Sequence, residues 1–132
     1  MTRVYVIHVS EDYGFYDRLV EQARAAKVAV EFDRMQAKQP WVPAWKTQCW
    51  NKIYKSDGVI ALLSKNSNQG GMKWEFECAE KFQAPMLGVH VDKAHAGVIP
   101  DELNGATIID WNWPDVARFI RSLDRNSSSA SA

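Results

Sequence analysis

Apolar residues along the chain alternate between short continuous runs and stretches of helical spacing. Val4 to Val9 (VYVIHV) is almost unbroken, as in a parallel strand covered on both faces. Leu19, Val20, Ala23 and Ala26 then recur at helical spacing, and Val28 to Phe32 reads as a second strand. Pro40 and Pro43 predict a loop, before a helix that carries Trp45, Cys49 and Ile53 at four-residue steps. Gly58 to Leu63 (GVIALL) is a third strand, followed by a loop rich in Ser, Asn and Gly. A helix from about Met72 to Phe82, a fourth strand from Pro85 to Val91 and a fifth from Ala106 to Asp110 come next. Val116, Phe119, Ile120 and Leu123 mark a last helix, with Asn112 as its cap and Pro114 in its first turn. The 92–105 link is mostly non-periodic, which predicts a short helix there or none.

Strands alternating with helices imply right-handed crossovers and a parallel sheet with helices on both faces. Five strands fit a flavodoxin-like α/β sheet of order 2-1-3-4-5, in one domain over residues 1–125. The Ser/Ala stretch at 126–132 has little to bury and is expected to be a disordered tail. Such sheets bind ligands beyond the carboxyl ends of their strands. That gathers the His8 to Tyr13, Asp33 to Trp45 and Ser64 to Gly71 loops around one cleft.

Composition narrows the choice of function. The 132 residues hold sixteen basic and sixteen acidic side chains, so no cationic excess exists to neutralise a nucleic-acid backbone. No apolar run approaches the roughly 20 residues of a membrane helix, and the amino end lacks a signal peptide's layout. Cys49 and Cys78 have no metal or CxxC spacing and fit a reducing cytoplasm as core residues. Neither a Gly-rich phosphate loop nor a metal cluster is visible.

One charge sits on the wrong side of its helix. In Met72 to Phe82, the residues Trp74, Cys78, Ala79 and Phe82 form one stripe with Glu75 in its middle, while Glu77, Glu80 and Lys81 fall on the other side. A carboxylate turned toward the sheet is costly without a partner and, in a cleft, marks a functional candidate. The plainer reading is that Glu75 lies in a first helical turn, favoured by the helix dipole.

The order of segments resembles the TIR-like domains, in particular the short bacterial TIR-like proteins of anti-phage defence systems such as Thoeris. VYVIHVSEDYGF is similar to that family's opening strand and loop. Trp45, Cys49, Ile53 and Ser56 leading into GVIALLS resemble its W-x3-I-x3-I-x2-S helix and following strand, and SKNSNQGGMKWEFECAEKF its glutamate segment. The resemblance puts Glu75 at the glutamate position. It departs where Gly71 stands in place of the usual Trp four residues earlier. Aligning on Trp74 instead would put Cys78 there, at the cost of the spacing to the flanking strands.

The resemblance implies an NAD-cleaving enzyme in which Glu75 is catalytic, assisting departure of nicotinamide from the ribose. NAD is then the substrate, and no cofactor or metal is needed. It implies a cyclic ADP-ribose-type signal read by a separate effector protein, and homo-oligomers through TIR–TIR contacts. Substrate-binding positions follow from it: Ser10 and Tyr13 toward ribose or phosphates, His8, Asp33 and Ser64 at strand ends, and Trp41 and Trp45 as an aromatic wall. The residues also admit plainer roles. Ser10 fits a helix cap with Tyr13 at N3, His8 a core histidine, Asp33 a turn and Trp45 the core.

Two other readings remain. Gly71-x3-Glu75-x3-Ala79 also resembles the nucleoside deoxyribosyltransferases, which use a glutamate nucleophile in a related fold. A non-enzymatic TIR assembly module is the other. A phosphoacceptor receiver is disfavoured, because the third strand ends Leu62-Leu63-Ser64 where that family needs Asp.

Overall fold

The computed structural model describes residues 1–8, 13–35, 39, 41–64, 70–91, 103 and 105–131, with backbone alone for 13, 70, 71 and 124–131. In chain order the elements are β1 (Thr2–Ile7), α1 (Tyr13–Ala25), β2 (Val30–Asp33), α2 (Pro43–Tyr54), β3 (Gly58–Leu63), α3 (Gly70–Lys81), β4 (Met86–His90), β5 (Thr107–Asp110) and α4 (Trp113–Ser131). All strand pairs are parallel and the sheet order is β2-β1-β3-β4-β5, as the alternating pattern implied. No helix among the described residues is long and apolar enough to cross a membrane.

The period of two along each strand divides the core into two layers. Tyr5, Ile7, Val59, Ala61 and Leu63 pack against Trp45, Cys49 and Ile53 of α2 and Phe76, Cys78 and Ala79 of α3. Val4, Val6, Ile60, Leu62, Leu87 and Val89 pack against Leu19 of α1 and Val116, Ile120 and Leu123 of α4. β3 is buried at every position, which is why its sequence is apolar without interruption.

Several boundaries move for identifiable reasons. The second strand starts at Val30 rather than Val28, because the Val28 N–H closes α1 by bonding the Ala23 carbonyl at 3.0 Å while Lys27 takes φ 56°. Helix α3 ends the same way, with Gln83 at φ 53° and the Ala84 N–H on the Ala79 carbonyl at 3.0 Å. Both are Schellman closures, and the apolar residue after each left-handed position packs back on a core layer. Ala26, expected on the inner stripe of α1, is exposed in that turn.

At the start of α4 the cap is where the sequence put it. Asn112 Oδ1 accepts from the Asp115 N–H at 3.0 Å, and Asn112 Nδ2 donates to Asp115 Oδ2 at 2.9 Å. The expected domain end at 125 falls inside α4, whose backbone continues into the Ser/Ala stretch to Ser131. Apart from Leu103 and Gly105, the 92–105 link lies outside the described residues, as does Val9.

Gly58 of β3 lies against Leu123 of α4. A Cβ there would lie 2.5 Å from Leu123 Cδ1, and Leu123 is itself buried. Gly58→Ala should therefore cost about 1–3 kcal/mol in urea unfolding through overpacking. The Gly58→Ala/Leu123→Ala pair should cost less than the sum of its singles. An unchanged urea midpoint for Gly58→Ala would mean that α4 does not seat on β3 this way.

Candidate functional site

Glu75 is fully buried, 0% exposed, in the layer between β1 and helices α2 and α3. Its inward direction follows from α3, where Met72, Phe76, Cys78 and Ala79 are buried while Glu77, Glu80 and Lys81 face solvent. The dipole reading of Glu75 fails, because α3 begins at Gly70 and its first turn holds no acidic residue. At Glu75 the backbone N–H groups are already paired within the helix, so a cap is not the reason for a carboxylate.

The partner comes from β1. Tyr5 is the phenol of the VYVIHV run, on the same face as Ile7, and its hydroxyl donates to Glu75 Oε2. The same hydroxyl lies 3.7 Å from Cys49 Sγ on α2. The interaction of Cys49 with Cys78, one helical turn beyond Glu75, together with burial pushes the Cys49 thiol up. The same interaction draws the Cys78 thiol down. Two thiols, a phenol and a carboxylate thus form one polar cluster inside an apolar layer. Burial, then the Glu75 charge and then Cys49, hold the Tyr5 phenol well above its usual range, so it stays a proton donor to Glu75.

Tyr5 pairs in register with Asp33 and Val59, so the cluster sits inside the sheet's footprint. It lies two residues below the last residue of β1, about 7 Å at the usual strand rise. A cavity of about 820 Å³ opens at the amino ends of β4 and β5, and one of about 420 Å³ at the carboxyl end of β2. Glu75 lines neither.

The carboxyl edge holds a second group of side chains. His8, 1% exposed just after β1, packs against Tyr16 of α1 with ring centroids 5.6 Å apart and the planes tilted by 34°. The Arg34 guanidinium lies 4.0 Å over the Tyr16 ring and its NH1 is 3.4 Å from His8 Nε2. Asp33, the last residue of β2, accepts from the Arg34 backbone N–H at 2.8 Å and from Lys52 Nζ of α2 at 3.0 Å.

The other expected positions scatter. Ser64 is buried at the end of β3, Trp45 is buried in the α2/α3 layer, and Trp41 is 75% exposed. Ser10 and the Tyr13 side chain lie outside the described residues. Glu75 therefore stands deep under the sheet, while His8, Asp33 and Ser64 share its carboxyl edge. Sequence reasoning missed Tyr5 and Arg34. A usable signal existed for Tyr5, since a buried phenol in an apolar strand needs a hydrogen-bond partner. None existed for Arg34, a single cation in a loop.

Because the folded-state pKa of Tyr5 is raised, the stability it contributes is complete below the unfolded value and falls as pH rises past it. Melting curves between about pH 8 and pH 11 should show the wild type losing Tm above about pH 10 more steeply than Tyr5→Phe. Near pH 7 Tyr5→Phe should cost about 1–3 kcal/mol, since Glu75 loses a buried donor. Equal slopes in the two proteins would mean that Tyr5 ionises as freely as in the unfolded chain.

No protein-family model matches the chain, and no curated protein matches it. Solved structures do. A conserved protein from Enterococcus faecalis V583 superposes with a TM-score of 0.63 at 17% identity, over 92% of this chain and 98% of that one. A 2-deoxyribosyltransferase from Bacillus psychrosaccharolyticus does so at 0.60 and 13% identity, over 88% and 90%. A prokaryotic SEFIR domain does so at 0.55 and 13%, over 95% and 97%. At these identities the likeness is one of fold: the chain is an α/β, flavodoxin-like domain with an all-parallel sheet of order 2-1-3-4-5.

Proposed function

We propose that this protein is a TIR-like enzyme that breaks the nicotinamide–ribose bond of NAD, with Glu75 acting on the ribose. The observation that carries this reading is a carboxylate with no solvent exposure, aimed from α3 at β1 and held by the Tyr5 phenol. A core rarely keeps such a group. An apolar partner for Tyr5 and the two cysteines would avoid the desolvation cost altogether.

Glycosidic cleavage makes use of a carboxylate so placed. As the C1′–N bond breaks, nicotinamide leaves with the bonding electron pair and positive charge builds on the ribose. A fixed carboxylate in a dry site stabilises that oxocarbenium-like state far better than one in water. Tyr5 fixes the carboxylate's orientation. Water then adds to C1′, giving ADP-ribose and releasing a proton, or an atom of the substrate's own adenine or ribose half adds and closes a cyclic product. A cyclic product would serve a separate effector, and association through TIR–TIR contacts belongs to the same reading.

Glu75 is sealed in this conformation. The proposal therefore includes an activating rearrangement at the amino end of α3 that admits the ribose, and the isolated protein is expected to be silent until triggered. The likeness in fold to a 2-deoxyribosyltransferase favours a second reading, base exchange on a deoxynucleoside by the same glutamate.

The test incubates purified protein with NAD, alone and with extract of phage-infected cells, and follows nicotinamide by chromatography. Wild type should release nicotinamide in an activating condition, and Glu75→Gln should be slower by about 10²–10³-fold. Equal release from both proteins, or none from either in any condition, contradicts the proposal. Base exchange between deoxynucleosides without nicotinamide release would select the second reading.

A further inference from the structure

We propose that Arg34, at the carboxyl end of β2, binds the phosphate groups of a nucleotide. A guanidinium is always charged, and it normally meets a carboxylate or reaches into water. Here two groups that carry no negative charge hold it. The face of Tyr16 lies 4.0 Å beneath it, and His8 Nε2 is 3.4 Å from NH1. Arginine only donates, so in this contact His8 Nε2 is the accepting nitrogen. Among the described residues the cation is therefore positioned by neutral groups.

The neighbouring acid is already committed. Asp33 takes Lys52 Nζ at 3.0 Å, and Lys52 also donates to the Arg34 carbonyl at 3.0 Å, which fixes the backbone from which Arg34 projects. Among the described residues no carboxylate pairs with the Arg34 guanidinium. Among the described residues that line the adjoining cavity, the cations Arg34 and Lys52 face one carboxylate, Asp33.

That cavity, of about 420 Å³, is lined by Tyr16, Asp33, Arg34, Met35, Gln48 and Lys52. Its size falls within the range of small-molecule sites. Its other polar groups are a phenol and a carboxamide, both able to donate to phosphate oxygens. Burial pushes the Tyr16 phenol up, which keeps it a neutral donor. The guanidinium's parallel N–H pairs match phosphate geometry, and the site lies at the strand ends where this sheet class takes ligands. For the identity of the nucleotide the proposal rests on the NAD reading, which would put the pyrophosphate of NAD on Arg34. The anion site itself does not.

The test is calorimetric titration of full-length protein carrying Glu75→Gln, which prevents turnover, with ADP-ribose and with inorganic pyrophosphate. Adding Arg34→Met should weaken both about 10- to 100-fold. Arg34→Lys, which keeps the charge and loses the fork, should fall in between, and it serves alone if Arg34→Met melts early. Unchanged affinity in both variants overturns the site, and so does failure of the parent to bind either probe. Pyrophosphate binding that depends on Arg34, in a protein that never cleaves NAD, upholds this site and removes the glycosidic reading. NAD cleavage with KM unchanged in Arg34→Met does the reverse.

Discussion

The hydrogen bond from the Tyr5 phenol to the Glu75 carboxylate sets the terms on which β1, α2 and α3 pack. An ionised group taken out of water costs several kcal/mol, and only well-placed donors offset it. Three alignments must therefore hold together. β1 must turn Tyr5 toward the helices, α3 must keep Glu75 on its inner face, and α2 must bring Cys49 within reach of the phenol, at 3.7 Å. A slip of one residue in β1 would carry Tyr5 to the α1/α4 side and leave the carboxylate without its donor. The polar cluster thus specifies register as well as chemistry.

The interior of one core layer and the sheet's carboxyl edge hold two chemistries. Under the sheet on the α2/α3 side is the buried carboxyl group of Glu75 with the Tyr5 phenol and two thiols. At the carboxyl edge, between α1 and α2, is the Arg34 cation held by Tyr16 and His8. Under the functional reading these are complementary: the Glu75 carboxylate faces charge that builds on a ribose, and the cation faces charge that a pyrophosphate already carries. The open side of such a sheet is suited to bringing them onto one ligand, because the loops at the strand ends reach over both faces.

Much of the fold was legible because its signals are local. GVIALL reads as a doubly covered strand, and β3 has those bounds and is buried throughout. Asn112 reads as a cap and makes the cap bond. Val28 and Ala26 misled, because α1 closes through a left-handed Lys27 where such a closure usually carries Gly, so the sequence shows no stop signal. In the site, the inward turn of Glu75 was legible from a single helical period. Its partner was not, because Tyr5 is remote in sequence and meets Glu75 only once the crossover is made. The Arg34 cluster was illegible for the same reason, joining groups from β1, α1, β2 and α2.

What tests the claim about Glu75 most directly is a crystal structure of the Glu75→Gln protein with NAD in its activated state. The account predicts the ribose C1′ within about 3.5 Å of the residue 75 side chain, with Tyr5 still hydrogen-bonded to it. NAD bound with its ribose away from α3, while the Tyr5 and residue 75 pair remains closed beneath the sheet, would contradict it.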